Sequence, residues 1–552
     1  MKIRNGYRYT LLICLAVFAV DGHAARGEML ATAERALTDG DYAKGVVAYV
    51  EAAQNSDNIE TARQATLTAY EFGFDSLTTQ AAQRWATLDA NTSEPGLYEA
   101  MAVLRSGDRE ASLRLWRAAV ERADDAESVC NFFSEATAAD VRADDAAWLF
   151  DKLAARFRDS ACLGYRAASA AASANDADAA NEWLDRLQTM DAFDDDARLL
   201  RIALLIDDEK AEDAFTDEAL FLSGEASIEQ QVQLALLNAR AEDIENAVNM
   251  LDFLSMQSPD DPAVQEAIAL VKLQDGDLEG SRSAFMSLLE SGEKTGSAMY
   301  YLARFAEGQR RTDQALRLYT QIDFGEFVLD AQQRAAYLLN GREGFVSAID
   351  HLEGFSNRNP RYGLDISLMR ASLYAQNEFY DQALELYTAY LDVKPRAEFA
   401  QLGQADTYLR SGDLDTAIEV FRGVVDMYPE SANALNSLGY TLADRTRKLR
   451  EAERLIDKAL ELDPENPAII DSKGWVLFRR GKLKQSREYL EKAYEQFPDA
   501  EVAAHLGEVM WRMGDEEEAR ELLEEAYRRD PQDETLRETV RRLMESGPAT
   551  RS

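Results

Sequence analysis

Histidine chemistry in this chain would have to come from His23, His351 and His505, and thiol chemistry from Cys14, Cys130 and Cys162. A hydrolytic metal centre needs ligands in a set such as H-E-x-x-H, and nucleophilic catalysis needs a base within reach of an activated hydroxyl or thiol. Neither His351 nor His505 has a neighbour at metal-ligand spacing, and no P-loop or G-x-S-x-G occurs. Both are therefore read as helix-surface or packing residues. Asp and Glu number 100, so no pair of carboxylates stands out as an acid and base. The expectation is a non-enzyme with no catalytic residues, no metal and no cofactor.

The elements that would carry any site are helical. Ala, Leu, Glu and Arg dominate, and Pro is only 11 residues of 552, a composition that points to an all-α protein. Near the C-terminus three segments share one skeleton. Gly439, Gly474 and Gly507 lie in a first helix, and Ala452, Ser486 and Ala519 come early in a second. Ala459, Ala493 and Ala526 follow seven residues on, and Pro464, Pro498 and Pro531 end each unit. Carried backwards, the small residue recurs at Ala417, Ala383, Ala348, Ala315, Ser281, Ala247, Ala214, Ala180, Ala146 and Ser112, nearly always in steps of 33 to 35 residues. Ala81 and Gly45 continue the series less regularly, and together the marks predict fifteen helical hairpins.

Small side chains let the two helices of a hairpin approach closely. Bulkier residues four and seven positions later, such as Tyr387 and Tyr390 or Phe421 and Val424, seal the contact with the next unit. Between the helices the chain repeatedly reads Gly-Asp, at 40–41, 107–108, 276–277, 412–413 and 514–515. Glycine accepts the left-handed conformation that ends one helix, and aspartate caps the amides that open the next. Asp515 with Glu518 has the spacing of a capping box.

With these residues the pattern resembles the tetratricopeptide repeat family, which implies an α-solenoid, a right-handed superhelix of stacked hairpins. The resemblance divides the chain into degenerate repeats over 25–360, well-defined repeats over 361–532, and a capping helix and tail over 533–552. In that family the first helices line a concave binding face. The resemblance therefore implies a protein-binding face of Asn433, Asn436, Tyr440, Asp471, Trp475, Arg479, Glu508 and Trp511, with Phe478 beside it as a packing residue. Counted from the repeat marks, Cys130 and Cys162 fall on neighbouring first helices. A disulfide is geometrically open to them, and so is burial as two small hydrophobes.

Residues 1–24 differ from the rest. Lys2, Arg4 and Arg8 precede an unbroken apolar run, Leu11 to Val20, and then Gly22-His23-Ala24. Such a run is too short to span a bilayer, which takes about 20 residues, and the pattern is that of a cleaved export signal. Cys14 follows Ile13 rather than a small residue, so no lipobox is present and an outer-membrane lipid anchor is not expected. Removing 1–24 takes away three basic residues and one acidic one, moving the net charge from −40 to −42. Such an anion is repelled by nucleic acid and anionic lipid.

The stretches "NALNSLGYTLADR", "DSKGWVLFRRGKL" and "EVAAHLGEVMWRMGD", with "AERALTDGDYAKGVVAYVEAA" near the start, resemble the tetratricopeptide lipoproteins related to LbcA. Those are periplasmic partners of the carboxy-terminal processing protease CtpA. The resemblance implies a periplasmic adaptor that brings such a protease together with peptidoglycan hydrolases. A structural part of an export or pilus machine is the alternative, and an all-helical glycan-acting enzyme is a third reading.

Overall fold

The computed structural model describes residues 24–38, 42–122, 130, 132, 141–216, 220, 222–292, 295–531 and 533–545. The segment through His23, with Cys14, and the Gly40–Asp41 turn lie outside the described residues. Every regular element among the described residues is a helix, usually 12 to 16 residues long. Helices pack mainly on their neighbours in the chain, as short connections between consecutive helices require.

The chain forms two compact units. One comprises the described residues up to Asp275 together with 357–361; the other comprises 276–356 and 362–552. Each buries its own apolar seams. In the first, Val46, Ala62 and Trp85 share one cluster, and Leu104, Trp116, Leu153 and Leu184 share another. In the second, Tyr319, Ala335 and Leu352 pack together, as do Phe421, Leu438 and Ile456.

The small-residue marks explain these seams. Fourteen of the fifteen are buried, from Gly45 to Ala519. At most of the marks the positions four and seven residues later are buried as well, as at Leu251 and Leu254, Phe285 and Leu288, and Tyr387 and Tyr390. Serine serves at the mark because its hydroxyl donates across the hairpin. Ser112 Oγ reaches Ala100 O, and Ser486 Oγ reaches Gly474 O, both at 2.7 Å. Ala146 is the exception and is half-exposed; one residue earlier, Asp145 is buried and paired with Arg109. On the facing helices, a Cβ added to Gly474 would sit 2.5 Å from Leu490 Cγ, and one on Gly439 2.7 Å from Ile456 Cγ1. Only glycine lets those helices cross so closely.

Aspartate caps several of the second helices, and one expected cap fails. Asp176, Asp243, Asp277 and Asp413 each accept from the amide three residues on. Asp515 does not cap, and no capping box forms with Glu518. Arg487 draws both carboxylates away, at 2.7 Å from Asp515 and 3.2 Å from Glu518. A charge-assisted bond to guanidinium outcompetes a bond to a neutral amide.

Several turns hold the left-handed conformation without glycine. Glu242, Arg310 and Glu378 have φ of 66°, 58° and 65°. That conformation costs about 1–2 kcal/mol for a residue with a side chain, more than glycine's entropic penalty of about 0.5–1 kcal/mol. The triple variant Glu242→Gly/Arg310→Gly/Glu378→Gly should therefore unfold at higher urea concentration than the parent. An unchanged or lower midpoint would mean that these turns are unstrained.

At the C-terminal end, Glu534–Val540 is helical and Arg541–Glu545 continues it. Leu536 and Leu543 close over Ala503, Ala504, Leu523 and Ala526, covering the last hairpin as an open-ended stack requires.

Candidate functional site

Three consecutive first helices, Ala432–Arg445, Pro467–Arg479 and Ala500–Met513, carry the residues singled out in the sequence. Each starts on a side-chain cap: Ser431 accepts from Ala434 N, Asn466 from Ala468 N, and Asp499 from Glu501 N. Caps one repeat apart hold the three helices in one register, so residues about 34 positions apart become neighbours.

That register builds a polar and aromatic cluster. His505 Nδ1 lies 3.0 Å from both carboxylate oxygens of Asp471, and both residues are buried. Trp475 stacks on the imidazole with centroids 4.1 Å apart and on Phe478 at 5.0 Å. Tyr440 leans on the same imidazole at 6.1 Å and donates its hydroxyl to Glu501 at 2.7 Å. Asp444 accepts from Trp475 Nε1 at 3.2 Å and lies 3.7 Å from Arg479, which also donates to the Asp444 carbonyl. Farther along, Glu508 is gripped by Arg542 of the end helix, and Arg520 sits 5.5 Å over the Trp511 ring.

The electrostatics follow from burial. Burial alone would push the His505 imidazole down, but Asp471, with Glu501 and Asp444 behind it, holds its pKa above the ordinary value. Burial pushes the Tyr440 phenol well up, and the Glu501 carboxylate adds to that. The cluster is thus an imidazole paired with carboxylates under an aromatic lid. His505 is only 2% exposed and roofed by Trp475, so a substrate atom has no approach to it. His351 is likewise structural, 2.8 Å from Gln332, which donates to the Tyr319 and Ile322 carbonyls. Among the described residues no group of three or more His, Cys, Asp or Glu is arranged to hold a metal.

The structure sorts the expected binding residues. Asp471 and Glu508, expected to face a guest, are buried, and their partners are His505 and Arg542. They bridge successive elements of the array, and removing either partner would leave a buried charge uncompensated. Tyr440, Trp475, Phe478, Arg479 and Trp511 are half-buried; Asn433 is exposed, and Asn436 is half-buried with a buried carbonyl oxygen that has no hydrogen-bond partner. Sequence reasoning missed Asp444, Glu501 and the His505–Asp471 pair. The separation of 34 residues between His505 and Asp471, one repeat length, was the available signal. In the other unit, Cys130 and Cys162 are joined in a disulfide with Cα atoms 6.3 Å apart.

The tetratricopeptide repeat family matches residues 368–432, 402–467 and 472–534. This C-terminal stretch is a tetratricopeptide repeat array. The hairpins upstream share its spacing and packing, so the fold is an all-α tetratricopeptide-type solenoid. The chain is 42% identical over 247 residues to TPR repeat-containing protein PA4667 of Pseudomonas aeruginosa. The match covers 45% of this chain and 42% of that protein, so the chain spans less than half of the relative's length. Among solved structures, yeast Tom70 is similar at 13% identity and a TM-score of 0.35, over 94% of each chain. A tetratricopeptide repeat protein from Parabacteroides merdae is similar at 16% identity and a TM-score of 0.35, over 45% of this chain and 98% of that one. These two likenesses concern the fold alone. Tetratricopeptide repeats make this chain a protein-interaction scaffold.

Proposed function

We propose that this chain is exported to the periplasm and there brings a carboxy-terminal processing protease together with cell-wall hydrolase substrates. The observation that carries the scaffold part is the first-helix face of the clear repeats. Trp475, Trp511 and Tyr440 are held rigid by Asp444, Arg520 and Glu501, with Asn433 and Asn436 beside them. Rigid, half-exposed aromatics flanked by hydrogen-bonding groups are the usual anchors of protein interfaces. Export rests on the basic start and apolar run of residues 1–24, and no helix among the described residues is long and apolar enough to cross a membrane. The protease and hydrolase partners rest on the resemblance to the LbcA-related lipoproteins.

Affinity capture from envelope extract tests this reading. The parent protein should recover a processing protease and peptidoglycan hydrolases, and a Trp475→Ala/Trp511→Ala variant that still folds should recover at least tenfold less. Recovery of no protease would sink the partnership. Turnover of peptidoglycan by the purified chain would replace the scaffold with an enzyme.

A further inference from the structure

Two adjacent turns of the clear C-terminal repeats carry lysine at the position of the helix cap. Where the flanking turns carry Asp413 and Asp515, these carry Lys448 and Lys482, and neither lysine side chain caps its helix. Around them the sequence reads Arg445-Thr-Arg-Lys-Leu-Arg450 and Arg479-Arg-Gly-Lys-Leu-Lys484. The two turns line one depression of about 630 Å³, walled by Arg447, Lys448, Arg450, Arg479 and Arg480 with Glu451. That volume lies within the range of specific ligand sites, about 300–1,000 Å³.

Part of this charge is already neutralised. Glu453 takes Arg480 and Lys482, Asp444 takes Arg479, and Arg422 holds Glu451 at 2.6 Å. Arg447, Lys448 and Arg450 are exposed, and among the described residues their side chains meet no carboxylate. In a chain of net charge −40, solubility gives no reason to gather unpaired cations in one turn. Placing Lys448 and Lys482 at helix starts also opposes the helix dipole. An anion seated among the exposed cations would offset both that opposition and their mutual repulsion.

We infer that this basic depression docks an acidic peptide segment of a partner protein, its carboxylates pairing with Arg447, Lys448 and Arg450. The chain's net charge of −40 disfavours a membrane or duplex, which would bring extended negative charge against the whole anion, whereas a short segment engages the cations locally. The inference deepens the scaffold reading and rests on it in one respect, that the ligand is a polypeptide.

The test uses the full chain and a fluorescein-labelled hexaglutamate peptide, followed by anisotropy. Binding should saturate at 50 mM NaCl and weaken at least tenfold at 500 mM, as exposed ion pairing requires. The variant Arg447→Ala/Lys448→Ala/Arg450→Ala should lose at least tenfold in affinity, while Arg528→Ala/Arg537→Ala/Arg541→Ala binds like the parent. The single exchange Lys448→Asp places there the residue that caps its helix at Asp413, so it should hold or raise the thermal midpoint while weakening peptide binding at least threefold. Equal binding by the parent and both 448 variants would overturn the inference, as would no binding at low salt. Retention on phosphatidylglycerol vesicles that depends on Arg447, Lys448 and Arg450, without peptide binding, would overturn it in favour of a membrane surface. Failure of peptide binding leaves the protease capture by the aromatic face intact, so the two readings fail separately.

Discussion

Replacing His505 with alanine should destabilise the C-terminal repeats by about 3–5 kcal/mol, the range for removing one member of a buried ion pair. Asp471 would be left buried without its cation, and Trp475 would lose the ring on which it stacks. The pH dependence has a definite sign. The His505 pKa is raised on folding, so its contribution is fully present below the unfolded value near 6.5 and is lost as pH rises through the folded value. Urea unfolding of the parent should therefore weaken between pH 6 and pH 9 by more than that of His505→Gln. The double variant His505→Gln/Asp471→Asn should cost less than the sum of its singles, because no lone charge remains. Additive costs, or a pH slope identical in parent and His505→Gln, would show that the pair carries no coupling.

The second large effect concerns the hairpin crossings. Gly474→Ala would place a Cβ 2.5 Å from Leu490 Cγ, and Gly507→Ala one 2.7 Å from Leu523 Cγ. Each should cost about 1–3 kcal/mol, as overpacking of tight cores does. The cause is steric, so Leu490→Ala should suppress most of the penalty of Gly474→Ala; each single change is destabilising, yet the pair should cost less than their sum. Gly423, in contrast, meets nothing within 4 Å. Gly423→Ala should be neutral or stabilising by up to about 1 kcal/mol, from helix propensity alone. Thermal melts of the five variants decide the matter, and equal costs at 423 and 474 would contradict the crossing argument.

The fold was largely legible because its determinant is local and repeated. A small residue every 33 to 35 positions, with bulk four and seven residues later, needs no knowledge of distant contacts. It fails where a buried charge substitutes for the small residue. Ala146 holds the spacing, yet Asp145 is the buried residue, and its partner Arg109 lies 36 positions away. The Asp515–Glu518 capping box fails for the same reason, since Arg487 is 28 and 31 positions distant. A local motif does not include such competitors.

The candidate site was legible in position but not in role. Periodicity put Asp471 and Trp475 on the first-helix face, but exposure there depends on what the next repeat contributes at the same height. His505 and Arg542 arrive one repeat later and consume Asp471 and Glu508. The rings of Tyr440, Trp475 and Trp511 remain half-buried. Charge told a similar story. The bulk value of −40 correctly marks an anion, but the mean conceals a basic depression made by two turns that are adjacent only after folding.

The central claim is that the first-helix face of the C-terminal hairpins, rather than the surface of the second helices, grips other proteins. Site-specific photo-crosslinking in the native envelope tests it most directly, with a crosslinking residue at exposed Asn433 on a first helix and, separately, at exposed Glu461 on a second. The account predicts discrete protein adducts from position 433 that vanish in the Trp475→Ala/Trp511→Ala background, and few or none from position 461. Adducts that form equally at both positions, or only at 461, would contradict it.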